Sequence, residues 1–146
     1  MKIKSNDFEH NKMLDAKFTC QGQDISPQLI FENVPEGTKS LALSVVDPDA
    51  PGGGFIHWLV YNIPVGIKEI HQGGPPPSGS TEVINDFGKR EYGGPCPPSG
   101  THRYFFTVYA LDADNLHGLS KSNFTNEIKQ HTIETAEIIG LYNKKK

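Results

Sequence analysis

The stretch that decides the reading is Asp47–Trp58, DPDAPGGGFIHW. An apolar run, LALSVV (Leu41–Val46), stops where it begins, and a second, WLVYN (Trp58–Asn62), starts where it ends. Short aliphatic and aromatic runs bounded by Pro and Gly read as strands, and the Pro/Gly cluster between them reads as a constrained loop. An acid therefore leaves one strand and a histidine enters the next. If the strands are neighbours, Asp47 and His57 converge on one rim of a sheet. A rim carrying acid, imidazole and exposed amides suits a small polar ligand. Asp-Pro-Asp is also a good turn sequence, because Asp side chains bond nearby amides and Pro fixes φ. On this stretch alone both readings stand.

A second stretch, Gly93–Leu111 (GGPCPPSGTHRYFFTVYAL), has the same layout: a Pro/Gly loop, then His102 opening an apolar run. Tyr104 follows two residues later, so both side chains leave the same face of their strand. Asp47, Pro51, His57, the Gly94–Pro98 loop, His102 and Tyr104 then form one candidate pocket. Loop amides allow close approach to anionic oxygens. Two imidazoles can donate to a phosphate, more strongly when protonated. A carboxylate can fix one imidazole in its donor tautomer or meet a ligand ammonium.

Outward from these stretches, Ser40–Asp47, Trp58–Ile63 and Arg103–Leu111 are the clear strands. Each is apolar on both faces, which predicts cover on two sides. Weaker strands are expected at Lys2–Ser5, Ala16–Thr19, Leu29–Asn33 and Val65–Ile70. His71–Thr81 (HQGGPPPSGST) reads as a mobile surface loop, and Glu82–Tyr92 approaches the pocket through Phe87 and Tyr92. From Phe124 to Gly140 the spacing of Phe124, Ile128, Thr132, Thr135 and Ile139 predicts one helix, with Gly140 as its stop. Many strands and one late helix give a mainly β fold, an antiparallel β-sandwich with a C-terminal helix, as one domain over residues 1–146.

Formal net charge is −3, too small to argue for nucleic acid or an anionic membrane. The basic tail Lys144–Lys146 reads as a solvated terminus. No apolar run approaches the ~20 residues of a membrane span. The start, MKIKSNDFEHNKML, lacks the apolar core of a signal peptide, so a cytoplasmic protein is expected. Cys20 and Cys96 are the only cysteines and form no CxxC pair, which predicts two free thiols. Cys96 lies in the pocket loop, as a packing residue rather than a reactive thiol.

A hydrolase would need a nucleophile. Ser99 has no G-x-S-x-G elbow around it, and Cys96 with a histidine is the other option. Zinc would need a short ligand pair that the scattered His and Asp residues do not supply. No enzyme activity, metal or cofactor is expected. His10, His71, His117 and His131 are assigned no role.

DPDAP, a histidine before an aromatic and LVYN, and GPCPPSGTHRYFFTVYALD together resemble the phosphatidylethanolamine-binding protein family, also called Raf kinase inhibitor-like proteins. The compact bacterial and archaeal branch is the best match, and the resemblance runs from FTCQGQDISPQL (Phe18–Leu29) to HTIETAEIIGLY (His131–Tyr142). It implies a β-sandwich built on a large antiparallel sheet. It also implies a small anion pocket lined by Asp47, Pro51, Phe55, His57, Gly94, Pro97, Pro98, His102 and Tyr104. Asp49 and Arg103 are expected as a structural pair. The implied function is non-enzymatic binding of phosphate monoesters or phospholipid head groups. Regulation of a partner kinase or protease through direct contact is the alternative. Eukaryotic members have longer segments before the Pro loop and a further C-terminal helix near the pocket. Their lack here predicts a more open pocket, or one closed by a second subunit in a homodimer.

Overall fold

Leu41, Leu43 and Val45 are fully buried on one side of their strand while Ala42 is fully buried on the other. That two-sided burial is what the apolar character of Ser40–Asp47 demands, and it fixes this strand near the middle of the fold. The computed structural model describes residues 1–144, so the basic tail at Lys144–Lys146 lies outside the described residues beyond its first lysine.

In chain order the strands are β1 (Lys2–Lys4), β2 (Lys12–Met13), β3 (Leu29–Glu32), β4 (Ser40–Asp47), β5 (Phe55–Pro64), β6 (Glu69–Ile70), β7 (Thr81–Val83) and β8 (Thr101–Leu111). Helix α1 (Phe124–His131) and β9 (Thr132–Asn143) follow. One sheet has the order β2-β9-β8-β4-β5-β7, and a smaller one has β1-β3-β6. All pairings are antiparallel except β2 with β9. Ile3, Leu29 and Phe31 of the small sheet pack with Leu43, Val45, Trp58, Val60, Phe106 and Val108 of the large one. This is the mainly β, two-sheet architecture expected from the sequence. On the far face of the large sheet, Ala42, Leu59, Tyr61 and Leu111 are covered by Phe124 and Ile128 of α1. Burying each of those two side chains contributes roughly 1.5–3 kcal/mol. An eight-residue helix is too short to stand on its own propensity, so this packing holds it.

The predicted helix to Gly140 is half wrong. Helix α1 ends at His131, and Thr132–Asn143 is a strand paired with β8 from Asn143↔Thr101 to Thr132↔Leu111. The β-branched Thr132, Ile133, Thr135, Ile138 and Ile139 favour extended backbone. Ile138, Gly140 and Tyr142 are buried at period two, on one face. Gly140 is not a helix stop. A Cβ there would lie 2.8 Å from Leu14 Cγ, so glycine leaves room for Leu14 to pack across the strand.

Ala16–Phe18 forms a 3-10 turn rather than a strand, with Asp15 Oδ1 accepting from the Lys17 amide at 2.9 Å. The strand expected at Val65–Ile70 shrinks to Glu69–Ile70, and that at Trp58–Ile63 lengthens backwards to Phe55. Residues 71–80 form a loop with turns, anchored where the Gly73 amide donates to the Ser26 carbonyl at 2.8 Å, and Thr81, expected in that loop, opens β7.

Candidate functional site

Strands β4 and β5 are neighbours, as the opening stretch requires, but not in simple register. Val45 pairs with Trp58 while Val46 pairs with Ile56. One step along β4 therefore matches two along β5, and His57 is the extra residue of a β-bulge. A bulge re-aims side chains locally. Here it sets the His57 ring edge-on to Tyr104, centroid to centroid 5.2 Å. His57 thus sits inside a strand, not at its mouth, and its side chain joins the inner face of the large sheet just beyond the core.

The cavity there measures about 210 Å³, below the roughly 300–1,000 Å³ of pockets for drug-sized ligands. Asp47 comes from the end of β4, and Ala50 and Pro51 from the turn after it. Phe55 and His57 come from the start of β5, and His102 and Tyr104 from the start of β8. Cys96, Pro97 and Pro98 close one side, and Phe87 the other. Eight of the nine expected residues therefore line one cavity. Gly94 stands behind that wall: its amide donates to Asp24 Oδ1 at 2.7 Å, and a Cβ there would come within 2.3 Å of the Phe18 carbonyl oxygen.

The polar floor is closely determined. Asp47 is 3% exposed, His57 4% and His102 7%. The His102 Nδ1–H donates to Asp47 Oδ2 at 2.6 Å. Asp47 Oδ1 accepts the Asp49 amide at 2.8 Å. The same carboxylate thus closes the turn and stands in the cavity wall, and its imidazole partner is His102, not His57. His57 Nδ1 lies 2.7 Å from the Gly93 carbonyl, which can only accept, so Nδ1 carries the proton and Nε2 the lone pair in the neutral ring. Burial holds His57 below the ordinary imidazole pKa, against the opposing pull of the Gly93 carbonyl and of the Asp47, Asp24 and Asp86 carboxylates. The Tyr104 hydroxyl is buried, and no protein atom meets it within hydrogen-bond distance, although the Asp47 carboxylate lies near enough to act on it. Burial raises its pKa, and the Asp47 charge adds to the effect, so it stays a donor at any ordinary pH.

Asp49 and Arg103 pair as expected, at the surface. Arg103 reaches both carboxylate oxygens at 2.9 Å and adds its amide at 2.9 Å. These bonds hold the Asp49 carboxyl down to about 2. The pair ties the DPDAP turn to β8.

The rest of the frame was not legible. Asn85, fully buried, donates to the carbonyls of His57 (2.9 Å) and Glu91 (2.8 Å) and accepts the Phe87 amide (2.9 Å). It thereby shapes the turn that brings Phe87 over Phe55, 4.7 Å between centroids. A lone Asn in a polar run gives no sequence signal for this. Tyr92, expected at the pocket, instead sits against Trp58 and donates to the Phe18 carbonyl at 2.7 Å.

The cysteines overturn the free-thiol expectation: Cys20 and Cys96 form a disulfide, with Cα atoms 5.5 Å apart. A separation of 76 residues in sequence hid it. The bond sits in a local clasp, since the Cys20 amide donates to the Pro95 carbonyl at 3.1 Å. Among the described residues no three His, Cys, Asp or Glu side chains are grouped to hold a metal. No described helix is long and apolar enough to cross a membrane.

Comparison with known proteins gives the same frame. A UPF0098 protein of Aquifex aeolicus is 43% identical over 152 aligned residues, 99% of this chain and 89% of that one. Another, of Methanothermobacter thermautotrophicus, is 42% identical and covered over 99% of both chains. The crystal structure of Escherichia coli YbcL, described as a new member of the mammalian PEBP family, superposes with a TM-score of 0.93 at 35% identity, covering 99% of this chain and 98% of that one. A sequence model of the phosphatidylethanolamine-binding protein family matches residues 4–143. The chain therefore belongs to the phosphatidylethanolamine-binding protein family.

Proposed function

We propose that the cavity binds a small phosphate-type group, free or as a phospholipid head group, without chemical conversion. The observation that carries this is the buried Tyr104 hydroxyl without a protein partner. Leaving a buried donor unpaired costs about 1–3 kcal/mol. It lies on the floor of a head-group-sized cavity beside two imidazoles whose Nδ1 atoms are already engaged, leaving both Nε2 atoms for a ligand. These three groups, with the Asp47 carboxylate beside them and apolar side chains around, fix the orientation of a small polar guest.

The non-enzymatic reading has its own support. Cys96 is tied up in a disulfide and is no nucleophile, and Ser99 is exposed and outside the cavity wall. The test is an NMR titration of the histidine rings with phosphate and phosphoethanolamine, on wild type and on His102→Ala. His57 and His102 should shift together and saturably, with the effect lost in the variant. Unresponsive rings would end the pocket reading.

A second reading, regulation of a kinase or protease by contact, is favoured by the apolar rim. Phe87 stands 42% exposed at the mouth of the cavity. Capture of one defined protein from native lysate, released by excess phosphate, would support it. The homodimer is a proposal of the same standing. Val46, Phe105 and Ile139 form a half-buried apolar row across three strands, continuing from Ile56 at the edge of the α1 cluster. A cytoplasmic location also stays part of the reading, with a condition. Disulfides persist in oxidising compartments or inside hyperthermophiles, and elsewhere in the cytosol thiols are kept reduced. Alkylation and mass spectrometry on protein taken from its own cells would show which applies.

A further inference from the structure

We propose that the cavity takes its phosphate group together with one proton, shared in the complex between a phosphate oxygen and His57 Nε2. The inference rests on the phosphate-binding reading and specifies the form of ligand the site accepts.

No lysine or arginine lines the cavity. The charged groups that act on His57 are carboxylates: Asp47 at the end of β4, which lines the cavity, and, behind its wall, Asp24 from the loop before β3 and Asp86 from the turn after β7. On the β8 side it meets the uncharged Tyr104, and the two rings from β5 and the 84–92 turn are Phe55 and Phe87. The nearby bases are already matched. Arg103 is held bidentate by Asp49, Lys121 pairs with Asp86 at 2.9 Å, and Lys89 lies beside Glu91. A phosphate dianion entering this site would meet the Asp47 carboxylate and a single neutral hydroxyl donor, Tyr104.

The tautomers sharpen the point. The Gly93 carbonyl fixes the proton on His57 Nδ1, so the neutral ring offers the cavity a lone pair at Nε2. An ionised phosphate oxygen, also a lone pair, cannot hydrogen-bond it. One proton resolves the contact, whether it arrives on the phosphate or from solvent onto the ring. His102 differs in geometry, because its Nδ1 faces the Asp47 carboxylate rather than a carbonyl. A charge gained by His57 has no carboxylate in hydrogen-bond contact, so the ligand's own negative charge must balance it. Proton and anion therefore bind as a couple.

Titration calorimetry of the wild-type protein, in phosphate-free buffers of different ionisation enthalpy, reads the proton count directly. The probe is phosphoethanolamine, a monoester whose second phosphate pKa is about 6. At pH 8 it should bind with uptake of about one proton, falling towards none at pH 5, where the ligand already carries it. Glycerophosphoethanolamine, a diester standing for the lipid-bound form, holds no such proton. It should need ring protonation throughout and bind more weakly than the monoester at pH 6. Monoester binding at pH 8 with no proton uptake overturns this inference and leaves the phosphate reading intact. No binding of either probe at any pH overturns both. His57→Gln, checked for folding by the unchanged His102 ring signals, should abolish the uptake. Retention of the full uptake in that variant would move the proton to another group and refute the assignment to His57.

Discussion

Cutting the Cys20–Cys96 bond should cost the protein far more stability than binding. The bond closes a loop spanning a sequence separation of 76 residues. In the chain-entropy model such a closure removes about 4.5 kcal/mol of unfolded-state freedom at 25 °C. For a chain of this length that corresponds to a fall in Tm of roughly 15 °C. The folded site should barely notice, because three hydrogen bonds hold the same two segments together without the sulfurs. The Cys20 amide reaches Pro95, the Gly94 amide reaches Asp24, and the Tyr92 hydroxyl reaches Phe18. Both cysteines are exposed, so a phosphine reductant has access. The assay is urea unfolding of oxidised protein, reduced protein and the Cys20→Ser/Cys96→Ser double variant, with phosphoethanolamine affinity measured on each while folded. A stability loss under about 1 kcal/mol would refute the entropic argument. A drop in affinity beyond about tenfold, or 1.4 kcal/mol, in protein that is still folded would show that the disulfide, and not the hydrogen-bonded clasp, shapes the cavity.

Three further outcomes are expected. Tyr104→Phe removes a buried donor that no protein atom meets within hydrogen-bond distance, so stability should hold or rise by up to about 1 kcal/mol while phosphoethanolamine affinity falls about fivefold. Loss of stability in urea unfolding would mean the hydroxyl is paired after all. Arg103→Gln should let the Asp49 carboxyl climb from about 2 towards 3.8, as read by carboxyl NMR. Because the folded-state pKa is the depressed one, the stabilisation from this pair is present above pH ~4 and is lost as pH falls through about 2, and the variant, which keeps only the backbone amide bond, should show a smaller step. Gly140→Ala should destabilise by about 1–3 kcal/mol through overpacking against Leu14, whereas in a helix the same change would help. A neutral result in urea unfolding would undercut the strand assignment at that position.

Strand β4 was legible to the residue, because an apolar run closed by Asp-Pro admits few other conformations. His102 and Tyr104 were legible as a same-face pair, because strand alternation is fixed by backbone geometry. The 132–143 segment was misread because Ile128 and Ile139 fit a helical stripe while Ile138 and Tyr142 fit a strand. Short apolar patterns satisfy both periods, and the pairing partner decides. That partner, β8, lies more than twenty residues upstream in sequence at every register position.

Local chemistry wrote the Asp47 turn, the Pro loops, the central strands and the residue types of the cavity floor. These features depend on dihedral limits and side-chain alternation over a few neighbours, and a linear reading can follow them. Which imidazole meets Asp47, which nitrogen of His57 is left over, that Asn85 props Phe87, and that Cys20 finds Cys96 were settled only in three dimensions. Each depends on contacts between segments far apart in the chain, and a single bulge at His57 is enough to re-aim the side chain on which the cavity's proton chemistry turns.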